Sequence, residues 1–241
     1  MAAPRRSSDI DVRLSALAER HRLGPGAVAQ LHRLHQVLAA DPLAPTAVRD
    51  PIKVIDDHLA DSLVALELEP VRNARAVADL GSGAGVPGLP LAIALTDADV
   101  TLIESAARKC AFLERTAALC ELGNVRVVQA RVEAWPAGLG CFDLVTARAL
   151  GPLEVVVEYA APLLALRGTL VVWRGRRDPA AESAAARAAA EVGLEPGEIV
   201  PVRPYRGAQS RHLHLMSKVM DTPAGFPRRP GVAVKRPLGR R

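Results

Sequence analysis

The sequence predicts an α/β protein built on a mostly parallel sheet of seven strands, with a helical cap in front of the sheet. From Ala76 onward, short apolar runs alternate with segments of helix length, a pattern typical of a parallel sheet covered on both faces. Before that point, apolar residues recur only at helical spacing. We therefore divide the chain into a cap (1–70), a sheet domain (71–220) and a basic C-terminal tail (221–241).

The cap is predicted to contain three helices. Apolar residues keep helical spacing in two segments that the Gly24-Pro25 break separates, and again after a loop with three prolines. The predicted helices cover residues 9–21, 25–40 and 52–68. This region is too small for a substantial core of its own, so it is expected to pack on the domain that follows.

The sheet domain is predicted from the alternation of strands and helices. The predicted strands cover residues 77–80, 100–104, 125–129, 142–147, 168–173, 199–202 and 212–219. The predicted helices cover residues 89–95, 106–122, 152–166 and 178–191. Only a loop separates the last two strands, which suits an antiparallel pair at one edge of the sheet.

Composition limits the class of protein. The chain has 241 residues, 49% of them hydrophobic, which is enough for a sizeable core. No apolar run approaches the roughly 20 residues that span a bilayer, and the basic start lacks the apolar stretch of a secretory signal. The three cysteines lack metal-ligand spacing. We expect a cytoplasmic protein that holds no metal and contacts no membrane.

Positive charge is concentrated at the C-terminus. After Asp221 there are no acids but six basic residues, while the rest of the chain carries 25 basic and 26 acidic residues. The six are Arg228, Arg229, Lys235, Arg236, Arg240 and Arg241. Such a tail suits a polyanionic partner such as nucleic acid, or it is a solvated end that aids solubility.

A glycine-rich turn follows the first predicted strand. The stretch from Asp79 to Gly88 reads Asp-Leu-Gly-Ser-Gly-Ala-Gly-Val-Pro-Gly. Gly81, Gly83 and Gly85 allow close approach of a ligand to the backbone. The spacing also fits a dinucleotide fingerprint, and tight packing alone would explain it too. Asp79, two residues before the first glycine, makes the stretch resemble the first motif of class I methyltransferases, whose cofactor is S-adenosylmethionine.

Further candidate residues come directly after the predicted strands, where ligands lie in such sheets. Glu104 is placed to accept hydrogen bonds from ribose hydroxyls, or is an N-cap acid. Residues 130–134 are positioned to hold an adenine edge. Arg148 ends the fourth strand, and arginines at positions 174, 176 and 177 follow the fifth. These four arginines predict a basic rim suited to nucleic acid, unless they are separate solvated charges.

One helix of the cap carries a polar trio. His58, Asp61 and Ser62 fall at positions i, i+3 and i+4, so they share one helical face. They face either an active site or solvent. No surrounding residues suggest a hydrolase.

Taken together, four stretches resemble the bacterial 16S ribosomal RNA guanine-N7 methyltransferase family, also called glucose-inhibited division protein B. They begin at His58, Asp79, Phe142 and Pro227 and read HLADSL, DLGSGAGVPGLPLAI, FDLVTARA and PRRPG. The resemblance implies a class I, Rossmann-like fold and methyl transfer from S-adenosylmethionine to a guanine of 16S RNA. It also implies cofactor contacts by Gly81, Val86, Val132, Glu133 and Arg148.

This chain departs from the family pattern in two places within the cap. It reads Leu-Ala-Pro-Thr-Ala-Val at residues 43–48, where Asn-Leu-Thr is usual. It also has Asp57 where the family commonly has a basic residue before the histidine, here His58. Both departures lie in the part of the cap that is expected to face RNA.

Methyl transfer to guanine N7 needs no general base, because N7 has a lone pair and no proton to lose. We predict catalytic roles for Arg148, which orients cofactor or phosphate, for His58, and for Asp61, which stabilises the cationic product. The expected partner is 16S RNA, in the 30S subunit or an assembly intermediate, and the chain is expected to be a monomer. The alternative hypotheses are a nicotinamide-dependent oxidoreductase, a non-catalytic assembly factor and a small-molecule methyltransferase.

Overall fold

The protein folds around one seven-stranded sheet. The structure, a computed structural model, describes the backbone of residues 3–239 and the side chains of residues 9–239. Its strands are Ala76–Leu80 (β1), Asp99–Glu104 (β2), Val125–Gln129 (β3), Phe142–Arg148 (β4), Leu164–Arg174 (β5), Leu194–Pro201 (β6) and His212–Lys218 (β7). Their order is β3-β2-β1-β4-β5-β7-β6, and β7 runs in the direction opposite to the other six described strands. The predicted mostly parallel sheet with an antiparallel edge is confirmed.

Helices cover both faces of the sheet. The α-helices are Ala3–Arg20 (α1), Ala27–Ala40 (α2), Pro51–Lys53 (α3), Asp61–Leu63 (α4), Glu69–Arg72 (α5), Gly88–Ala94 (α6), Ala107–Leu119 (α7), Leu153–Ala160 (α8), Pro179–Val192 (α9) and Val232–Lys235 (α10). Helix α1 begins six residues earlier than predicted. Within residues 3–239, no helix is long and apolar enough to cross a membrane.

The third cap helix is helical over nearly its predicted length but changes its winding. It starts as α3, continues as a π-helix over Val54–Ala60, narrows to α4 and ends as a 3₁₀ turn over Val64–Glu67. Asp50 caps its start, where its carboxylate accepts the N–H groups of Ile52 and Lys53 at 3.0 Å each. The π-helical stretch is rare in proteins and often marks a functional site, and it contains His58.

Two boundaries differ from the predictions, namely the end of α8 and the start of β6. Helix α8 ends at Ala160 rather than near residue 166, and β5 begins at Leu164. Pro162 has no backbone N–H, so it cannot continue the i→i−4 hydrogen bonds of the helix. Helix α9 ends at Gly193, which has φ 80°, as predicted. Strand β6 begins at Leu194, earlier than predicted, because residues 194–196 pair with β7 although they include a glutamate and a proline.

The core has two layers, one on each face of the sheet. On one face, Leu14 of α1 and Leu31 of α2 share a buried cluster with Val77 and Leu102 of the sheet. On the other face, α8 and α9 pack against β4 and β5. The cap therefore has no separate core from the sheet, and the division at residues 70 and 220 stays a proposal.

The C-terminal segment is docked as far as Gly239, unlike the solvated end considered from composition. Arg228 forms a two-pronged ion pair with Glu158 of α8, and the Gly239 carbonyl accepts a hydrogen bond from Arg187 of α9 at 2.7 Å. Part of the predicted basic charge is thus neutralised within the fold. Arg240 and Arg241 lie outside the described residues.

Candidate active site

Two cavities meet at the carboxyl ends of β1 and β4, where the strand order reverses and ligands bind in such sheets. The first, of about 470 Å³, lies by the glycine turn, and the second, of about 450 Å³, lies between β4, β5 and the cap. Ala149, directly after β4, lines both. It adopts the left-handed conformation with φ 53°, uncommon for a residue other than glycine and often found at functional sites.

The first cavity has Glu104 on its wall, as predicted. Its Oε1 accepts hydrogen bonds from the backbone N–H groups of Ser105 at 2.8 Å and Ala106 at 2.9 Å. Its Oε2 accepts one from the N–H of Gly83 at 3.2 Å and lies 3.7 Å from the ammonium of Lys109. The carboxylate therefore ties β2 to the glycine turn and presents a fixed acceptor to the cavity.

The glycines of the turn have different structural roles. Gly81 lines the cavity with φ 62°, and a Cβ there would lie 2.5 Å from Cδ1 of Leu150. A Cβ on Gly85 would collide with the side chain of Leu89, so this glycine lets the turn pack on α6. Val86 is buried in the core. Among the predicted glycine contacts, only Gly81 lines the cavity surface.

Asp79 lies beneath the turn rather than on the cavity wall. Its side chain is buried, and Oδ1 accepts a hydrogen bond from Thr146 of β4 at 2.9 Å. Oδ2 has no hydrogen-bond partner among the described residues. Burial raises the pKa of Asp79 to about 6, against the opposing effect of the Thr146 hydroxyl. Direct contact of Asp79 with a ligand stays a prediction; the structure gives it a supporting position.

Val132 and Glu133 also line the first cavity. They lie in a 3₁₀ turn, Val132–Ala134, after β3. Glu133 Oε1 accepts hydrogen bonds from the Gly231 N–H at 3.1 Å and the Tyr159 hydroxyl at 3.5 Å. Gly81, Glu104, Val132 and Glu133, predicted from separate stretches, therefore surround one cavity.

The second cavity is organised by Arg148. One guanidinium nitrogen donates to the Asp57 carbonyl at 2.7 Å and to Asp61 Oδ2 at 2.9 Å. The other donates to His58 Nδ1 at 3.0 Å. The structure thus joins Arg148, His58 and Asp61, all three predicted catalytic residues. Arg148 does not line the first cavity, and its predicted cofactor contact stays a prediction.

His58 contacts Arg148, Thr46 and the backbone. Its Nδ1 lies 3.0 Å from a guanidinium nitrogen of Arg148 and 3.2 Å from the Asp57 carbonyl, and its Nε2 lies 2.8 Å from the Thr46 hydroxyl. Burial and the neighbouring arginine lower the pKa of His58 to about 4. At neutral pH the imidazole is therefore uncharged, and it does not act as an imidazolium acid. Ser62 instead donates to the His58 carbonyl at 2.5 Å and does not line the cavity.

Several residues of the second cavity were not predicted. Asp61 Oδ1 lies 3.3 Å from Nε of Arg211, and the Asp61 carbonyl accepts the Trp173 indole N–H at 2.6 Å. Asp57, noted only as a departure from the family pattern, accepts the Tyr205 hydroxyl at 2.7 Å. Two arginines, Arg148 and Arg211, thus already compensate the Asp61 charge. This arrangement suits a role for Asp61 in orienting Arg148 better than a role in contacting the cationic product.

The predicted basic rim is only partly formed. Arg174 lines the second cavity, and Arg176 is exposed beside it. Arg177 instead binds Glu182 through two hydrogen bonds of 2.5 and 2.6 Å, so its charge is neutralised locally. Within residues 3–239, no group of three or more metal-ligating side chains was found.

Comparison with known proteins identifies the family. The family model described as rRNA small subunit methyltransferase G matches residues 34–204. The chain belongs to this methyltransferase G family. A family member from Chloroflexus aggregans is 41% identical over 80% of this chain and 82% of its own length. Another, from Rubrobacter xylanophilus, is 40% identical over 79% of this chain and 75% of its own length.

Solved structures place the chain in the class I, Rossmann-like methyltransferase fold. A SAM-dependent methyltransferase from Aquifex aeolicus superposes with a TM-score of 0.55 at 18% identity, over 69% of this chain and 93% of its own. Fibrillarin from Aeropyrum pernix, crystallised with S-adenosyl-L-methionine, gives 0.52 at 15% identity, over 66% of this chain and 72% of its own. At such identities the likeness shows the fold alone, and the predicted fold class is confirmed.

Proposed function

We propose that this chain transfers a methyl group from S-adenosylmethionine to N7 of a guanine in 16S ribosomal RNA. The observation that carries the proposal is the meeting of two cavities at Ala149. One has a glycine turn and a fixed carboxylate, and the other is organised by an arginine. Family membership adds the substrate class, because the relatives are ribosomal RNA small subunit methyltransferases.

The first cavity fits the cofactor on the evidence of its own residues. Gly81 brings bare backbone to the cavity wall, where a Cβ would lie 2.5 Å from Cδ1 of Leu150. Glu104 offers an acceptor held by three backbone N–H groups, which suits ribose hydroxyls. Val132 and Glu133 would hold the adenine side. When bound, S-adenosylmethionine supplies an electrophilic methyl group carried on a sulfonium.

The second cavity receives the guanine. Since N7 has a free lone pair, the protein must orient the base and exclude water, and it needs no base to remove a proton. Neutral His58 fits this requirement. Arg148 is held by Asp61 and the Asp57 carbonyl and donates hydrogen bonds at the cavity wall, where Trp173 supplies an apolar surface.

RNA is proposed to reach this cavity over two neighbouring loops. The β5–α9 loop carries Arg176, and the β6–β7 loop carries Arg203 and Arg206. Gly175 and His212 join the loops through a 2.9 Å hydrogen bond. All three arginines are exposed, and no acid within the described residues pairs with them. Uncompensated cations beside the proposed base site suit phosphates.

The decisive experiment compares 16S RNA from cells with and without this gene. Borohydride reduction followed by aniline cleavage cuts RNA at N7-methylguanine. We expect one cleavage in the small-subunit RNA that disappears on deletion and returns with the intact gene but not with an Arg148→Ala variant. An unchanged cleavage pattern after deletion contradicts the proposal.

An assay in vitro shows whether the substrate is naked 16S RNA, the 30S particle or an assembly intermediate. Purified protein is given labelled S-adenosylmethionine with unmodified 16S transcript, with 30S particles, or with assembly intermediates from the deletion strain. We propose that the chain acts as a cytoplasmic monomer on the 30S subunit or its intermediate, so labelling of particles should exceed that of the transcript. Sedimentation of the free protein near its 25.5 kDa mass checks the monomer.

A further inference from the structure

We infer that residues 221–239, the C-terminal strap, form part of the wall of the cofactor cavity and that Arg228 is a positioning residue for it. The inference rests on the proposed function only in naming the ligand of that cavity. It gives the basic tail a place in the fold that composition does not suggest. Three groups of contacts fix the strap, and a fourth joins it to the cavity.

The strap is anchored where it leaves the sheet. Lys218, in β7, donates to the Ala161 carbonyl at 2.8 Å and to the Thr222 hydroxyl. Thr222 in turn donates to the Val192 carbonyl at 3.1 Å. Burial lowers the pKa of Lys218 to about 8. A buried amine and a hydroxyl thus attach the first residues of the strap to the ends of α8 and α9.

The central anchor is the ion pair between Arg228 and Glu158. The Glu158 side chain is 1% exposed and that of Arg228 is 23% exposed. Arg228 Nε donates to Oε1 at 2.6 Å, one terminal nitrogen donates to Oε2, and the same nitrogen reaches the Arg236 carbonyl at 3.0 Å. The two-pronged geometry fixes direction as well as distance, and the third bond closes the strap into a loop over α8.

The last anchor lies on α9. Arg187 donates to the Gly239 carbonyl at 2.7 Å, and the Gly239 N–H reaches Glu191 at 3.3 Å. A Cβ on Gly239 would collide with the Ala184 carbonyl. The strap is therefore held at both ends, so the position of its middle is set by the fold.

That middle segment reaches the first cavity. The Gly231 N–H donates to Glu133 Oε1 at 3.1 Å, and Val234 of α10 is one of the residues that line the cavity. Val234 remains 60% exposed, whereas its neighbour Ala233 is 3% exposed. The strap thus fixes one oxygen of Glu133 and places an apolar side chain at the cavity edge, where a bound ligand would cover it.

The test measures binding of S-adenosylhomocysteine by calorimetry, with no RNA present. Val234→Ser removes the apolar edge at an exposed position, and the double variant Arg228→Ala, Glu158→Ala removes the central anchor without leaving a buried charge unpaired. We expect the dissociation constant to rise about threefold for the first and tenfold or more for the second. Arg126→Ala, at an exposed position on edge strand β3, is the matched control and should bind as wild type does.

Hydrogen exchange separates positioning from a general loss of structure. The ligand should slow exchange of amides in residues 229–236 of the wild type, and the double variant should lose this protection while the sheet strands keep theirs. In turnover assays KM for the cofactor should rise and kcat at saturation should change little.

The outcomes distinguish the strap from the proposed function. Wild type that binds the ligand but methylates no RNA overturns the proposed substrate, while weakened binding in the variants still supports the strap. Folded variants that bind as tightly as wild type overturn the strap. Wild type that binds no S-adenosylhomocysteine overturns the cofactor assignment and the strap together.

Discussion

At the scale of single residues, the site depends on charges that the fold already compensates. Arg148 is held by three acceptors from the third cap helix, so its guanidinium has a fixed position before any ligand arrives. Preorganised donors of this kind need little rearrangement during a reaction. His58, with its pKa near 4, accepts a hydrogen bond and contributes shape rather than acidity.

Arg148→Ala should abolish methylation, with kcat/KM falling at least a hundredfold, because its hydrogen bonds link the cap to β4. Loss of these bonds should cost roughly 1–3 kcal/mol of stability, which leaves the chain folded. Methyl transfer to 30S particles and circular dichroism measure the two effects. Near-normal activity would contradict the proposed role.

Asp79→Asn should change the pH dependence of stability. The folded-state pKa of Asp79 is raised from 3.8 to about 6, so its contribution to stability is fully present below pH 4 and is lost as pH rises through 6. Asparagine cannot ionise. The unfolding free energy of the variant, relative to wild type, should therefore rise by about 3 kcal/mol between pH 4 and pH 7. Urea titrations at several pH values measure this difference in unfolding free energy. A difference that does not vary with pH would show that the pKa of Asp79 is not raised in the folded protein.

At the scale of elements, the sequence predicts which segments are regular more reliably than what they contact. All seven strands and the glycine turn were predictable because period and turn chemistry are local properties. The end of α8 and the start of β6 were not, since Pro162 lacks the N–H that would continue the helix and residues 194–196 pair with β7 despite their low apolar content. Tyr205 and Arg211 were also missed, because they reach Asp57 across 148 and 154 positions of sequence, and no local pattern records such contacts.

The β6–β7 loop should bind RNA phosphates. Replacing Arg203 and Arg206 by alanine removes two exposed cations, so the logarithmic salt slope of binding to 16S transcript should fall by about 1.4. Affinity should weaken while binding of S-adenosylhomocysteine stays unchanged. Fluorescence anisotropy from 50 to 200 mM salt gives the slope, with Arg126→Ala as control. An unchanged slope in the double variant would exclude this loop from the RNA interface.

At the scale of the whole molecule, the cap and the sheet share one buried cluster. The cap should therefore not unfold independently. Urea transitions followed by helical circular dichroism and by tryptophan fluorescence should coincide. The fluorescence reports on Trp173, which lies between cap and sheet, together with Trp135. A cap transition at lower urea would show that the predicted division at residue 70 is a true domain boundary.

The shared wall at Ala149 has a consequence for the geometry of transfer. Reacting atoms must approach to about 3–3.5 Å, and this residue contributes only a methyl group where the two cavities meet. A bulkier residue would act as a spacer. Ala149→Asn keeps a side chain that tolerates the left-handed backbone. It should thus still hold donor and acceptor yet keep them too far apart, giving near-normal dissociation constants and a single-turnover rate that drops by at least tenfold.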